Sequence, residues 1–185
     1  METTTVWTKQ HQDVWTNLER DGRPVASRGG TRGDLGEEAA SRGRGVYDWL
    51  AGRLPTAGKP ADAVYPVWVS RSGDAAMLPG PGFVILELQV DPGLITDVNI
   101  AKWGAILNYS YIPADEADAR RHRKRMEAHG VSDAKAFMSR FYPELKEEIV
   151  QSWDRLFDDS VQLGSGAAYG VLWEIRREWV KCVTR

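Results

Sequence analysis

A long hydrophobic stretch at residues 83–108 dominates the pattern of apolar and polar positions along the chain. Residues 83–86 are apolar without a break, and residues 86–90 alternate apolar with polar side chains. This pattern predicts a strand that is buried on both faces at its start and on one face at its end. An Asp-Pro-Gly turn stops the strand, because proline lacks the N–H that a sheet needs. Asn99 then caps a predicted helix whose apolar residues are Ile100, Trp103, Ala105, Ile106 and Leu107.

Two short elements open the chain. A β-type segment at residues 6–10 precedes a helix from about Gln12, and Gly22 stands where a glycine commonly ends a helix. The apolar face of this helix consists of Val14, Trp15 and Leu18. Residues 23–45 are rich in glycine and arginine, so we expect a loop in their first part and a helix from about Leu35. The apolar stripe of that second helix consists of Val46, Trp49, Leu50 and Leu54.

The later part of the chain predicts one more strand and two helices. Residues 65–70 alternate in a way that places Trp68 on the face opposite to its two valine neighbours. Ser132 is placed to cap a short helix whose inward residues are Ala134, Phe137 and Met138. Pro143 suits the first position of a longer helix, whose apolar face consists of Leu145, Ile149, Trp153 and Leu156.

The last segment, residues 167–184, predicts a strand with two different faces, and Val180 and Val183 suggest a further strand after it. One face is bulky and carries Tyr169, Val171, Trp173 and Ile175. The other face carries Ala168, Gly170, Leu172 and Glu174. Small residues leave space there, so a ligand is expected to reach the sheet next to Glu174. A carboxylate in that position can stabilise a developing positive charge, and the structural alternative is a charge at the rim of the sheet.

These elements predict an α+β fold with a small, mostly antiparallel sheet core flanked by helices. At 185 residues the chain is most simply one domain, residues 1–185. Residues 113–142 have a helical composition with few apolar positions, and they predict a helical insertion within that domain.

Charge and composition narrow the function classes. The formal net charge is −2, with 24 basic and 26 acidic residues, which indicates no general attraction to nucleic acid or to an anionic membrane. The single cysteine, Cys182, excludes an intramolecular disulfide and favours a reducing, cytoplasmic setting. No apolar run reaches the length of a membrane helix. Eight tryptophans form either core or a stacking surface.

The basic run at residues 120–125 is a second place where charge suggests binding. No aromatic residues are interleaved with it, so a solvated helix face is the preferred interpretation and nucleic acid is not expected as a partner. Glu116 precedes Arg120 by four residues, which suits an ion pair on an exposed helix. His122 and His129 lack the ligand spacing of a metal site, so no metal is expected.

Several motifs together resemble a known group of proteins. They are the segment 6–10 followed by Trp15, Leu18 and Gly22, then Tyr47-Asp48-Trp49, Tyr65-Pro66-Val67-Trp68, the central strand with residues 103–108, and Trp173-Glu174-Ile175. This combination resembles an uncharacterised family of small bacterial proteins catalogued as a domain of unknown function. The resemblance covers nearly the whole chain and implies no established activity.

The order of elements is also distantly similar to the ADP-ribosyltransferase fold, which clasps NAD between two small antiparallel sheets. That resemblance implies that Glu174 is the glutamate that stabilises an oxocarbenium-like ribose as nicotinamide leaves. It implies that Thr8 and Gln10 hold the ribose or the amide, where that family carries Arg or His. It further implies that Tyr47 or Trp68 stacks against nicotinamide or adenine.

The sequence thus leads to two functional hypotheses. The first is an NAD-binding, ADP-ribosyltransferase-like protein with NAD as its substrate and a protein or nucleotide as acceptor. The alternative is a non-catalytic module that recognises a nucleotide or a protein through a Trp-rich surface.

Overall fold

The computed structural model describes residues 2–22, 37–74 and 80–185, and for residues 37–44 it describes the backbone alone. The strands in these ranges are β1 (Thr4–His11), β2 (Val67–Val69), β3 (Phe83–Val90), β4 (Thr96–Asn99), β5 (Ala168–Leu172) and β6 (Val180–Thr184). The α-helices are α1 (Gln12–Asp21), α2 (Glu37–Arg53), α3 (Ile100–Leu107), α4 (Glu116–His129), α5 (Asp133–Met138) and α6 (Pro143–Ser152). Short 3₁₀ helices lie at Pro92–Leu94, Trp153–Phe157 and Arg177–Trp179.

The chain divides into two compact units. The first, the sheet unit, comprises Met1–Asp97 and Tyr169–Arg185, and the second, the helical unit, comprises Val98–Ala168. The predicted insertion at residues 113–142 lies inside the helical unit. The predicted α+β fold is confirmed, because small antiparallel sheets and α-helices make up the described elements.

The first sheet has the strand order β1-β3-β6, and both of its pairings are antiparallel. The predicted burial of β3 is confirmed, since three consecutive residues from Val84 are buried and burial then alternates to Val90. Opposite residues of an antiparallel pair share a face. Thr8 lies opposite Leu86, so this threonine belongs to the face of β1 that packs against the core.

The second sheet has the strand order β2-β5-β4, with β2 antiparallel to β5. Val67 and Val69 are buried and Trp68 is half-buried, as the alternation predicted. The C-terminal segment consists of two strands, and Val180 and Val183 both lie in the second, as the sequence suggested. The chain bends at Trp173 after β5 and makes a 3₁₀ turn before it enters β6 in the other sheet.

The predicted helix ends are largely confirmed. Gly22 ends α1 with φ 76°, a left-handed conformation that glycine adopts without strain, and its N–H donates to the Leu18 carbonyl over 2.9 Å. The Asn99 side chain accepts from the backbone N–H of Lys102 at the start of α3. Pro143 occupies the first turn of α6. Each of these ends depends on one residue type at one position, which is why a sequence pattern predicts it.

Three expectations need correction or lie outside the described residues. Met138 does not point inward, because its side chain is 62% exposed at the end of α5. On α4, His122 and Met126 are buried, so that helix is less solvated than its composition suggested. The loop predicted at the start of residues 23–45 falls on residues 23–36, which lie outside the described ranges, and α2 begins at Glu37.

Candidate functional site

In the described part of the chain, one isolated backbone bridge joins the two sheets, whose side chains also share one hydrophobic core. Trp7 in β1 and Ser70, just after β2, form an isolated antiparallel bridge. The Trp7 N–H donates to the Ser70 carbonyl over 2.9 Å, and the Ser70 N–H donates to the Trp7 carbonyl over 2.7 Å. Among the described residues, β1 and β2 form no ladder beyond this bridge. The backbone pairing of the two sheets therefore ends at this bridge.

Beyond the bridge, a side-chain hydrogen bond connects β1 with β2. The Thr8 hydroxyl donates to the carbonyl oxygen of Trp68 over 2.8 Å, a bond between residues 60 positions apart. The Gln10 amide then donates from Nε2 to the Thr8 hydroxyl oxygen, also over 2.8 Å. Three of the residues predicted to bind a cofactor thus form one connected chain. Thr8 is 3% exposed, whereas Gln10 and Trp68 are half-buried.

A second aromatic ring lies next to Trp68. Tyr169 on β5 meets the indole edge-on, with ring centroids 6.4 Å apart and planes at 87°. Trp68 pairs with Val171 across the strands, so the diagonal neighbour Tyr169 shares its face. Both rings are half-buried. They form an aromatic surface on β2 and β5, and the bulky face of the C-terminal segment was already visible in the sequence.

Glu174 lies buried just beyond the end of β5, with 5% of its surface exposed. Its Oε1 accepts a hydrogen bond from Nε of Arg176 over 2.7 Å and lies 2.6 Å from Nη2 of the same guanidinium. The same guanidinium lies 5.2 Å from the centroid of the Trp179 ring. Glu174 is therefore neither at a solvated rim nor in bulk water, and its carboxylate is held in one direction.

The expected open space next to Glu174 is wrong. A Cβ added at Gly170 would lie 2.6 Å from a methyl of Ile95 and 2.8 Å from a methyl of Val69. The side chains of Ile95 and Val69 therefore fill the space next to Gly170. The predicted face is wrong as well, because the bend at Trp173 allows Leu172 and Ile175 to enter the same core.

Tyr47 lies on α2, away from the connected chain of hydrogen bonds. Burial raises the pKa of its phenol, and its ring meets Tyr65 edge-on at 6.2 Å. The residues after α2 do contact the neighbour of Glu174 in the sequence. The Trp173 indole donates to the Pro55 carbonyl over 2.7 Å. Lys59 adds its ammonium 4.1 Å from the centroid of the Trp173 ring.

The sheet unit contains all five predicted site residues, and hydrogen bonds between described residues connect Thr8, Gln10 and Trp68. Within the described residues, no hydrogen bond connects Glu174 with Thr8 or Gln10. Sequence reasoning missed two partners of the site, Arg176 and Tyr169. Arg176 stands two residues after Glu174, a spacing that places both side chains on one side of extended backbone and that was readable from the sequence.

Acidic residues of the helical unit form ion pairs with three arginines of the basic run at residues 120–125. Arg120 pairs with Glu116 over 2.6 Å, which confirms the predicted ion pair. Arg121 pairs with Asp118 and Glu148, and Arg125 pairs with Glu148. These internal pairs occupy three of the cations that a phosphate backbone would need. In the described part of the chain, no cluster of His, Cys, Asp and Glu is suited to a metal ion.

The eight tryptophans are distributed between core and partial exposure. Those that are buried are Trp15, Trp103, Trp153 and Trp173, and those that are half-buried are Trp7, Trp49, Trp68 and Trp179. None presents most of its ring to solvent. Within the described ranges, no helix is both long and apolar enough to cross a membrane.

These observations define an α+β protein of two small antiparallel sheets, with a candidate site where the backbone pairing of the two sheets ends. The chain belongs to the family described as Domain of unknown function (DUF3841), whose model matches residues 5–181. The resemblance to such a family is thereby confirmed. No curated protein and no solved structure matches the chain.

Proposed function

We propose that the protein binds NAD where the backbone pairing of its two sheets ends and transfers ADP-ribose to a protein or nucleotide acceptor. The observation that carries the proposal is the chain of hydrogen bonds from Gln10 through Thr8 to the Trp68 carbonyl. It connects polar groups of β1 with the backbone of β2 at Trp68, and the resemblance to the ADP-ribosyltransferase fold implies a dinucleotide held between two small sheets.

The chemistry of these groups suits the two ends of a nicotinamide nucleoside. Amide and hydroxyl groups at Gln10 and Thr8 can exchange hydrogen bonds with a ribose hydroxyl or a carboxamide. The half-buried Trp68 ring, supported edge-on by Tyr169, offers a flat surface on which an aromatic base can stack. Polar groups beside an aromatic wall are typical of small-molecule sites.

Glu174 has the role of charge stabiliser in this proposal. The bond between ribose C1′ and the nicotinamide nitrogen breaks, and its electron pair leaves with nicotinamide. The ribose becomes an oxocarbenium-like cation, which a buried carboxylate stabilises by charge. The acceptor then forms a bond to C1′ with its own lone pair and gives up a proton. Arg176 fixes the direction of the carboxylate, so little reorganisation is needed at that moment.

Calorimetry with NAD, together with an assay of NAD consumption, tests the proposal. We expect NAD to bind, Glu174→Gln to retain binding with at least a tenfold loss of turnover, and Trp68→Leu to weaken binding. Glu178→Gln is the matched control, because Glu178 is an exposed glutamate of the same segment and should leave both readouts unchanged. Absence of NAD binding at millimolar concentration overturns the proposal.

The alternative is a nucleotide-binding module without chemistry. The half-buried pair of Trp68 and Tyr169 favours it, since a stacking surface requires no catalytic group. The same two measurements separate the candidates. Binding of NAD that Trp68→Leu weakens, with no consumption and no effect of Glu174→Gln, assigns the protein to this second class.

A further inference from the structure

A cluster of charged side chains surrounds one histidine in the helical unit. His122 on α4 is buried, and both of its ring nitrogens face carboxylates. Nε2 lies 2.9 Å from Oδ1 of Asp133 on α5, and Nδ1 lies 3.3 Å from Oε1 of Glu148 on α6. One ring therefore connects α4 with both of the following helices.

An aromatic ring also packs against one face of the His122 imidazole. Tyr111 stacks on it in parallel, with centroids 3.9 Å apart and planes at 7°. The Tyr111 hydroxyl donates to Asp118 over 2.8 Å, and its backbone N–H donates to Oδ2 of Asp133 over 2.8 Å. An aromatic face next to the imidazole favours the charged form of the ring.

Every element that packs around His122 contributes a charged or titratable group. These groups are Asp118, Arg121 and Arg125 of α4, Tyr111 before it, Asp133 of α5, Glu148 of α6 and Arg155 of the following 3₁₀ helix. Glu148 is the richest acceptor, because Arg121 and Arg125 also donate to it. Among the described residues, the Asp133 carboxylate has fewer partners, namely His122 and the Tyr111 N–H.

A neutral imidazole cannot maintain both contacts. Only one of its nitrogens carries hydrogen, so the other presents a lone pair to a carboxylate oxygen. The shorter bond to Asp133 retains the hydrogen on Nε2, and Nδ1 then faces Oε1 of Glu148 with no proton between them. Repulsion between the two lone pairs acts on the side of the ring where α4 contacts α6.

We propose that His122 is a proton-controlled lock of the helical unit, which binds both α5 and α6 while its ring is charged and loses its bond to Glu148 of α6 when the ring loses its proton. The proposal concerns the helical unit by itself and does not rest on NAD binding. Burial opposes the ring's charge, but the hydrogen bonds and charges of Asp133 and Glu148 outweigh it and raise the pKa of His122 above its usual value.

The direction of the effect follows from this raised pKa. The stabilisation is fully present below the pKa of the unfolded chain, about 6.5, and is lost as the pH rises through the higher pKa of the folded protein. In that window the unfolding equilibrium constant rises by up to tenfold per pH unit, because the unfolded chain gives up its proton first.

Nitrogen-detected NMR titration of the full chain tests the lock directly, with His122 assigned by the signal that disappears in His122→Gln. We expect the ring to stay charged above pH 6.5 and then to become the Nε2–H tautomer. In Glu148→Gln the titration should move to lower pH, whereas Glu147→Gln, at an exposed neighbouring glutamate, should leave it in place.

Denaturant unfolding between pH 6 and 9 supplies the second readout. The pH dependence of stability in this range should be largely absent in His122→Gln and retained in His129→Gln, at an exposed histidine of the same helix. A wild-type ring that is already neutral at pH 6.5 overturns the proposal without any variant. Equal pH profiles for wild type and His122→Gln overturn it as well.

Discussion

The hydroxyl of Thr8 donates to the carbonyl oxygen of Trp68 over 2.8 Å, at the position where the pairing of β1 with β2 stops. A side chain thus satisfies a backbone acceptor that no continuing ladder reaches. Gln10 donates to the same hydroxyl, so Thr8 is at once donor and acceptor. Its role in holding the two sheets is separable from any role in binding.

Thr8→Val should destabilise the protein by about 1–2 kcal/mol, because valine retains the shape but leaves the Trp68 carbonyl and the Gln10 amide without their partner. Denaturant unfolding measures the loss. Thr8→Ser retains the hydroxyl and should cost less. Thr5→Val, on the other face of the same strand, is the control and should stay within about 0.5 kcal/mol of wild type. A Thr8→Val protein as stable as that control would contradict the structural role.

Gly170→Ala should destabilise the sheet unit by about 1–3 kcal/mol, because its new methyl would meet Ile95 and Val69 at distances that no unstrained Cβ adopts. In a Val69→Ala background the added methyl should cost less, since one of the two opposing methyls is gone. Gly52→Ala is the control, because open space surrounds this helical glycine and alanine there should stabilise by about 0.5–1 kcal/mol. Equal effects at both glycines would show that the contact relaxes freely.

Lys102→Met should lower the stability of the helical unit by about 1.5–3 kcal/mol. Lys102 is 2% exposed, and its ammonium donates to the carbonyls of Arg155 and Asp158 over 3.0 and 2.7 Å. Methionine fills the volume but donates nothing to these carbonyls at the end of a 3₁₀ helix. Thermal unfolding compares it with Lys124→Met, an exposed lysine of α4 whose replacement should be nearly neutral. A similar melting temperature for both variants would refute the capping role.

Asp118 should control the acid limit of the helical unit. Burial opposes its ionisation, but the Ala114 N–H, Arg121, the Tyr111 hydroxyl and Arg155 outweigh burial and lower the pKa of Asp118 to about 2. A lowered pKa gives stability that is present above the unfolded value and is lost as the pH falls through the folded one. The stability of the wild type should therefore decline between about pH 4 and 2.

Asp118→Asn should accordingly cost about 2 kcal/mol at pH 7 and flatten the acid limb of the stability profile. Unfolding at a series of pH values measures both effects in one experiment. Asp159→Asn, at an exposed aspartate, is the control and should leave the profile of the wild type unchanged. An acid limb that survives in Asp118→Asn would assign the decline to other carboxylates.

The local sequence pattern was sufficient to predict those elements that are determined by residues close together in the chain. The alternation of β3 and the stop at Gly22 were both predicted, because burial period and cap chemistry act over one or two turns of chain. The cap at Asn99 belongs to the same group. Arg176 was within reach of the same reasoning, since it stands two residues from Glu174.

Contacts between distant segments decided the rest. The space at Gly170 depends on Ile95 and Val69, which no pattern around the glycine reveals. The surroundings of His122 depend on Asp133 and Glu148, supplied by two other helices. A side chain's neighbours across a fold are set by packing and not by spacing. The sequence therefore predicted where strands and caps occur, whereas only the folded chain determined which polar groups are satisfied and which gaps are filled.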